Sequence, residues 1–176
     1  MITDFIKKEN VSEELIKEYE DKLPTEVITF WREFGFGTFY KGYLKSINPN
    51  DYKDLLEKSY FQGDVSIPIF ATAFGDLITW EKNRFVGIVK YRYGENDVIS
   101  DGFEFFFEDV TEGESDDELS IKQYKAAIKK LGSLEYDECF GYVPLLVLGG
   151  KESVKNLKIV KIREYIALIT EMSGEV

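Results

Sequence analysis

Carboxylates dominate the chemistry available to this chain: it has 33 Asp and Glu against 22 Lys and Arg, a net charge of −11, and no histidine. Paired carboxylates can act as general acid and base, or hold a hard cation, when their spacing allows it. Glu104 and Glu108 fall on one face of a segment that reads as a strand. At roughly 3.3 Å per residue they stand about 13 Å apart, beyond the roughly 5–10 Å of paired glycosidase carboxylates. Asp76 and Glu81 flank a strand ending in Trp80, which reads either as a sugar platform or as solvated acids beside a packed indole. From Glu108 to Glu118, seven of eleven residues are acidic and none is basic. That run lacks the spacing and glycine of an EF-hand, and reads either as a solvated loop or as a binding surface.

Composition removes most other chemistries. Without histidine the commonest general base and metal ligand are missing, and neither a Cys–His nor a Ser–His–Asp centre can be assembled. No serine is followed three residues later by lysine, the Ser–Lys hydrolase spacing. Cys139 is the single cysteine, too few for a zinc cluster or an intramolecular disulfide. In Gly35-x-Gly37 the third glycine of a dinucleotide fingerprint is replaced by Tyr40, and the segment follows a helix where a strand is required. Gly149-Gly150-Lys151 lacks the upstream glycine of a P-loop and has Glu152 in place of Ser or Thr. The expectation is a protein without cofactor, metal or enzymatic activity.

The acidic excess repels polyanions, which disfavours direct nucleic-acid binding, and attracts a basic partner over long range. The N-terminal residues form no apolar segment of signal-peptide length, and no stretch approaches the roughly 20 apolar residues of a membrane span. A cytoplasmic protein, off the membrane, is expected.

The elements that would position these residues follow from periodicity. Ser12 is placed to cap a helix with Leu15, Ile16, Tyr19 and Leu23 on one face. Pro24 starts a second helix with Val27, Phe30, Trp31 and Phe34 inward, and Asn48-Pro49 opens a third. Residues 67–73, 77–80 and 85–93 read as strands. Asp101-Gly102 signals a tight hairpin into a strand over 103–107, with Phe103, Phe105 and Phe107 on a buried face. Helices follow with Ile121, Tyr124, Ile128 and Leu131 on one side, then with Ile162, Tyr165, Ile166, Ile169 and Met172. Helices, then strands, then helices predict an α+β fold with a central, mainly antiparallel sheet flanked by N- and C-terminal helices. The length suits one compact domain over 1–176.

Several strings are more specific: Phe30-Trp31-Arg32-Glu33-Phe34-Gly35-Phe36-Gly37; Asn48-Pro49-x-x-Tyr52; Ile67-Pro68 through Thr72-Ala73-Phe74-Gly75-Asp76-Leu77; Asp137-Glu138-Cys139-Phe140-Gly141-Tyr142-Val143-Pro144-Leu145; and Arg163-Glu164-Tyr165-Ile166. In this order the chain resembles the GAD-like domain family joined to the C-terminal immunity-protein module of type VI secretion toxins. The Leu23-Pro24 to Phe34-Gly35 opening is also similar to the SUKH-type immunity superfamily. The resemblance implies a GAD-like part over about 1–110 and an immunity module over about 111–176. It implies a non-enzymatic protein that binds and neutralises a cognate toxin in the producing cell, a DNase in the best-known branch. Tyr165 stands where histidine is expected in such relatives.

On that reading Asp76, Glu81, Glu112, Glu114, Asp116, Asp117 and Glu118 are candidates to meet a basic toxin surface, or are a solvated rim. Phe34, Gly35, Phe36, Gly37, Thr72, Phe74, Gly75, Trp80, Cys139, Gly141, Tyr142 and Pro144 form the family-motif set, as core or pocket wall. Asp76 reads equally as a turn cap. The competing expectation is a small-ligand or peptide-binding module with an aromatic pocket near Trp80 and Tyr142.

Overall fold

The computed structural model describes residues 2, 4–113 and 117–176. Seven strands form one sheet in sequence order: β1 (Ile6–Glu9), β2 (Phe36–Phe39), β3 (Leu44–Ser46), β4 (Ser66–Thr72), β5 (Leu77–Glu81), β6 (Phe85–Lys90) and β7 (Glu95–Ser100). Every neighbouring pair is antiparallel. Helices α1 (Glu13–Tyr19) and α2 (Thr25–Glu33) separate β1 from β2, and α3 (Pro49–Ser59) separates β3 from β4. After the sheet come α4 (Phe103–Glu112) and α5 (Ile121–Leu131), a two-stranded ribbon of β8 (Glu138–Tyr142) and β9 (Leu157–Lys161), and α6 (Ile162–Ser173). No helix of the described residues is long and apolar enough to cross a membrane.

The helix starts are set by side chains. Ser12 Oγ accepts the Leu15 N–H, and Asn48 Oδ1 accepts the Asn50 N–H ahead of Pro49. Both satisfy amides that a helix leaves unpaired at its N-terminus.

Successive strand residues point to opposite faces, and here both faces are covered. Ile78, Trp80, Val86 and Ile88 face one apolar cluster with α1, α2, α4 and α5. Leu77, Val89 and Tyr91 face a second with α3 and α6. The α+β expectation holds; strands β1, β2, β3, β8 and β9 were not foreseen, being three to five residues long.

One element is corrected. Residues 103–107 are not a hairpin strand but the start of α4. Phe-Glu-Phe-Phe-Phe satisfies alternation only in part, and three consecutive phenylalanines break it. The helical spacing continues through Phe103, Phe106 and Val110, all buried, to Gly113 in the left-handed conformation. Phe105, expected inside, is 54% exposed. Met172, expected inward on α6, is also exposed. Glu104 and Glu108 accordingly lie one helical turn apart, where Cβ atoms are about 5–6 Å apart, so the distance argument against them fails. They are both exposed on a single helix, and do not flank a cleft from opposite sides as a glycosidase pair must.

Candidate functional site

The turn Thr72–Asp76 between β4 and β5 is built by its own side chains. Thr72 Oγ1 accepts the N–H groups of Phe74 (3.1 Å) and Asp76 (3.2 Å). Asp76 is buried, and its Oδ2 accepts from Arg92 Nη1 at 2.5 Å. Arg92 Nη2 donates to Ser120 Oγ at 3.2 Å, and the guanidinium lies over the Phe74 ring at 4.4 Å. Burial is the largest influence on both groups: it raises the Asp76 pKa and opposes the Arg92 charge, but Asp76, Tyr43 and Tyr93 together outweigh it at Arg92 and raise the guanidinium pKa above its ordinary value. From the other side, the Phe140 N–H donates to Ala73 O at 2.7 Å. Gly75 has φ +78°, and a Cβ there would lie 3.1 Å from Cys139 Sγ and 3.3 Å from the Tyr165 ring. The Thr-Ala-Phe-Gly-Asp string is therefore a seam closed against Ser120, β8 and α6. Tyr165, at the expected histidine position, accepts the Tyr142 N–H on its hydroxyl at 3.0 Å.

Asp76 and Glu81 are corrected as exposed partner-binding acids: both are buried. Glu81 Oε1 accepts from Thr79 Oγ1 at 2.7 Å and Tyr60 Oη at 3.2 Å. Of the acidic run, Glu112 and Asp117 are exposed, and Glu118 is half-buried in an ion pair with Lys90. Glu114 and Asp116 lie outside the described residues.

A second buried cation has no such partner. Lys45, on β3, is fully buried, and its Nζ makes no hydrogen bond among the described residues. Burial lowers its pKa to about 8, against the pull of Cys139, Glu138 and Asp137. Burial also pushes the Cys139 thiol up to about 12. A thiol so held is a poor nucleophile.

Among the surface grooves of the described residues, two present mainly apolar surface. The larger, about 710 Å³, runs between α2 and α4. Its floor is Phe30, Phe34 and Phe107, with Phe30 and Phe107 stacked at 5.6 Å between centroids. Glu26 and Glu33 rim it from α2, Glu108 and Glu112 from α4, with no lysine or arginine among its lining residues. All four are exposed, and none forms an ion pair among the described residues. In α4 this acid sits against local electrostatics: Asp109 and Glu112 occupy the last turn, which contains no base, where the helix dipole disfavours negative charge by about 0.3–1 kcal/mol. The smaller groove, about 380 Å³, lies where α6 meets β8 and β9. Tyr142, Pro144, Leu148, Leu168 and Met172 line it, with Lys161 and Glu164 at its edge.

The family-motif set does not form one pocket. Phe36, Thr72, Phe74, Trp80, Cys139 and Tyr142 are buried. Trp80 packs on Phe103 at 5.5 Å and lines neither groove, so the expected Trp80–Tyr142 pocket does not join these two residues there. Cβ atoms at Gly35 and Gly37 would lie 2.3 Å from the carbonyls of Glu9 and Ile6, so these glycines let β1 close on its neighbours. Gly141 similarly admits Val160 and Tyr165.

The family model of the GAD-like domain matches residues 1–91. The chain belongs to the GAD-like domain family. A second model, that of the C-terminal part of the T6SS immunity protein Tdi1, matches residues 100–173. No curated protein shows significant similarity to the chain. Among solved structures it is similar in fold to Atu4351 from Agrobacterium tumefaciens: TM-score 0.73 and 18% identity, covering 95% of this chain and 85% of that chain.

The two matched segments are separated by residues 92–99, which hold most of β7. The GAD-like segment supplies α2 and the immunity segment supplies α4, so the larger groove is built from both. Its acids Glu26 and Glu33 were not anticipated. The available signal was their seven-residue spacing, two helical turns, on the α2 face that also carries Phe30.

Proposed function

We propose that this GAD-like protein is an immunity protein that neutralises a cognate toxin by direct binding inside the producing cell, without catalysis. The match of residues 100–173 to the immunity module carries the reading. The geometry supports it. The buried acids Asp76 and Glu81 are engaged internally, whereas the carboxylates around the larger groove are exposed and form no ion pair among the described residues. A protein of net charge −11 suits a toxin with a cationic working surface, and a DNase, which must present such a surface to phosphate, is the leading class. An acidic inhibitor occupies that surface in place of the nucleic acid and is steered to it over long range.

The test is co-expression with the toxin encoded beside this gene, followed by binding measurements on the purified pair. Cells should survive, and raising salt from about 50 to 500 mM should slow association far more than it changes dissociation. A wild-type chain that neither protects nor binds would refute the proposal.

A further inference from the structure

We infer that the groove between α2 and α4 is where the toxin docks, and that its occupant is a basic segment inserting an apolar or aromatic side chain. The inference rests on the immunity reading above. Three observations point to this occupant. The floor of Phe30, Phe34 and Phe107 offers apolar surface in a concavity of about 710 Å³, within the roughly 300–1,000 Å³ range of binding clefts. The rim sets Glu26 and Glu33 opposite Glu108 and Glu112, with no lysine or arginine among the groove's lining residues; Glu112 also borders a smaller cavity lined by Lys41 and Lys125. A lysine or arginine entering between the helices meets carboxylates on both sides and aromatic faces below, which favour a cation. The last turn of α4 bears acid against its own dipole, a local conflict of the kind that marks functional positions. A basic partner relieves it.

The groove at α6 lacks this bias. Its edge carries one charge of each sign, Lys161 and Glu164, and selects no charged partner. The basic segment is therefore assigned to the α2–α4 groove.

Two variants of equal charge change separate local docking from general steering. One carries Glu26→Gln, Glu33→Gln, Glu108→Gln and Glu112→Gln. The control carries Glu14→Gln, Glu20→Gln, Glu95→Gln and Glu171→Gln, exposed acids outside the groove lining. Glutamine matches glutamate in helix propensity, and Glu20, after α1, and Glu95, on β7, are exposed, so both variants should fold, as circular dichroism will show. The probe is the purified toxin domain encoded beside the gene. The groove variant should bind it about 100-fold more weakly, mainly through faster dissociation, while the control loses less than about tenfold, mainly in association rate. Thr29→Lys with Thr111→Lys, which brings cations into an otherwise intact rim, should weaken binding similarly and gives an independent reading if the Gln variant misfolds. Equal loss in groove and control variants, or undiminished binding by the Lys pair, overturns the inference and leaves the immunity reading standing. Failure of the wild-type chain to bind overturns both.

Discussion

Replacing Lys45 by Met should stabilise the protein near neutral pH. Lys45 Nζ is buried without a hydrogen-bond partner among the described residues; methionine has nearly the same volume and no charge. Folding lowers the lysine pKa from 10.5 to about 8, so the unfolded chain holds the proton more tightly. That difference corresponds to about 3 kcal/mol against folding where both states are protonated. Below pH 8 the penalty is complete. Between about pH 8 and 10.5 the folded lysine is neutral while the unfolded one is still charged, and the penalty fades as pH rises. Cys139 acts oppositely: its folded pKa of about 12 against 9.0 removes stability as pH rises past 9. The assay is therefore a difference, urea unfolding of wild type and Lys45→Met from pH 6 to 10, in which the contributions of other groups largely cancel. Lys45→Met should lead by about 1–3 kcal/mol at pH 7, with the gap closing towards pH 10. A variant less stable than wild type at pH 7, or a gap independent of pH, would refute a buried, unpartnered lysine.

Phe106→Ala should cost about 3–5 kcal/mol, and Phe105→Ala less than about 0.5 kcal/mol, by thermal or urea unfolding; the reverse order would restore a strand at 103–107. Asp76→Ala should cost about 3–5 kcal/mol, because it leaves the Arg92 charge buried and unpaired; a loss below about 1 kcal/mol would show that water reaches the pair. Calorimetry should show one unfolding transition, since each apolar cluster joins residues from 1–91 to residues from 100–173. Two resolved transitions would contradict that coupling.

The sequence showed the long amphipathic helices well, since their inward faces recur every three to four residues and their starts carry Ser12 and Asn48 as caps. It showed β4 to β6 as apolar runs too. Short strands failed because three to five residues carry little periodic signal. The phenylalanine run at 103–107 failed because its first residues fit both periods, and only Val110 and Gly113, beyond the run, decide for a helix. Burial of Asp76 was hidden by distance along the chain: its partner, Arg92, is sixteen residues away. Only the fold brings them together. The same holds for the larger groove, whose acids lie some 80 residues apart on α2 and α4.

Most of the recognisable strings lie away from the proposed recognition chemistry; the exception is Phe30 to Gly37, which supplies Phe30, Glu33 and Phe34 to the groove. Thr72 to Asp76 and Cys139 to Tyr142 close the seam where the sheet meets β8 and α6, and their glycines admit neighbouring backbone and rings. Glu26, Glu108 and Glu112 lie outside those strings, exposed on the outer faces of helices whose inner faces hold the core. Altering such positions leaves buried contacts intact, and surface changes of this kind usually alter stability by no more than about 0.5 kcal/mol. On the proposed reading the rim can therefore be retuned to a different toxin while Asp76, Arg92 and Phe74 hold the scaffold unchanged. The α2–α4 groove nevertheless depends on the scaffold: its two walls belong to different matched segments, and the packing of Phe103, Phe106 and Phe107 on Phe30, Phe70 and Trp80 fixes the spacing of the carboxylates. Loosening that packing, as Phe106→Ala would, should thus impair toxin binding on the proposed reading even where every groove residue is retained; unchanged affinity in a folded Phe106→Ala variant would refute the dependence.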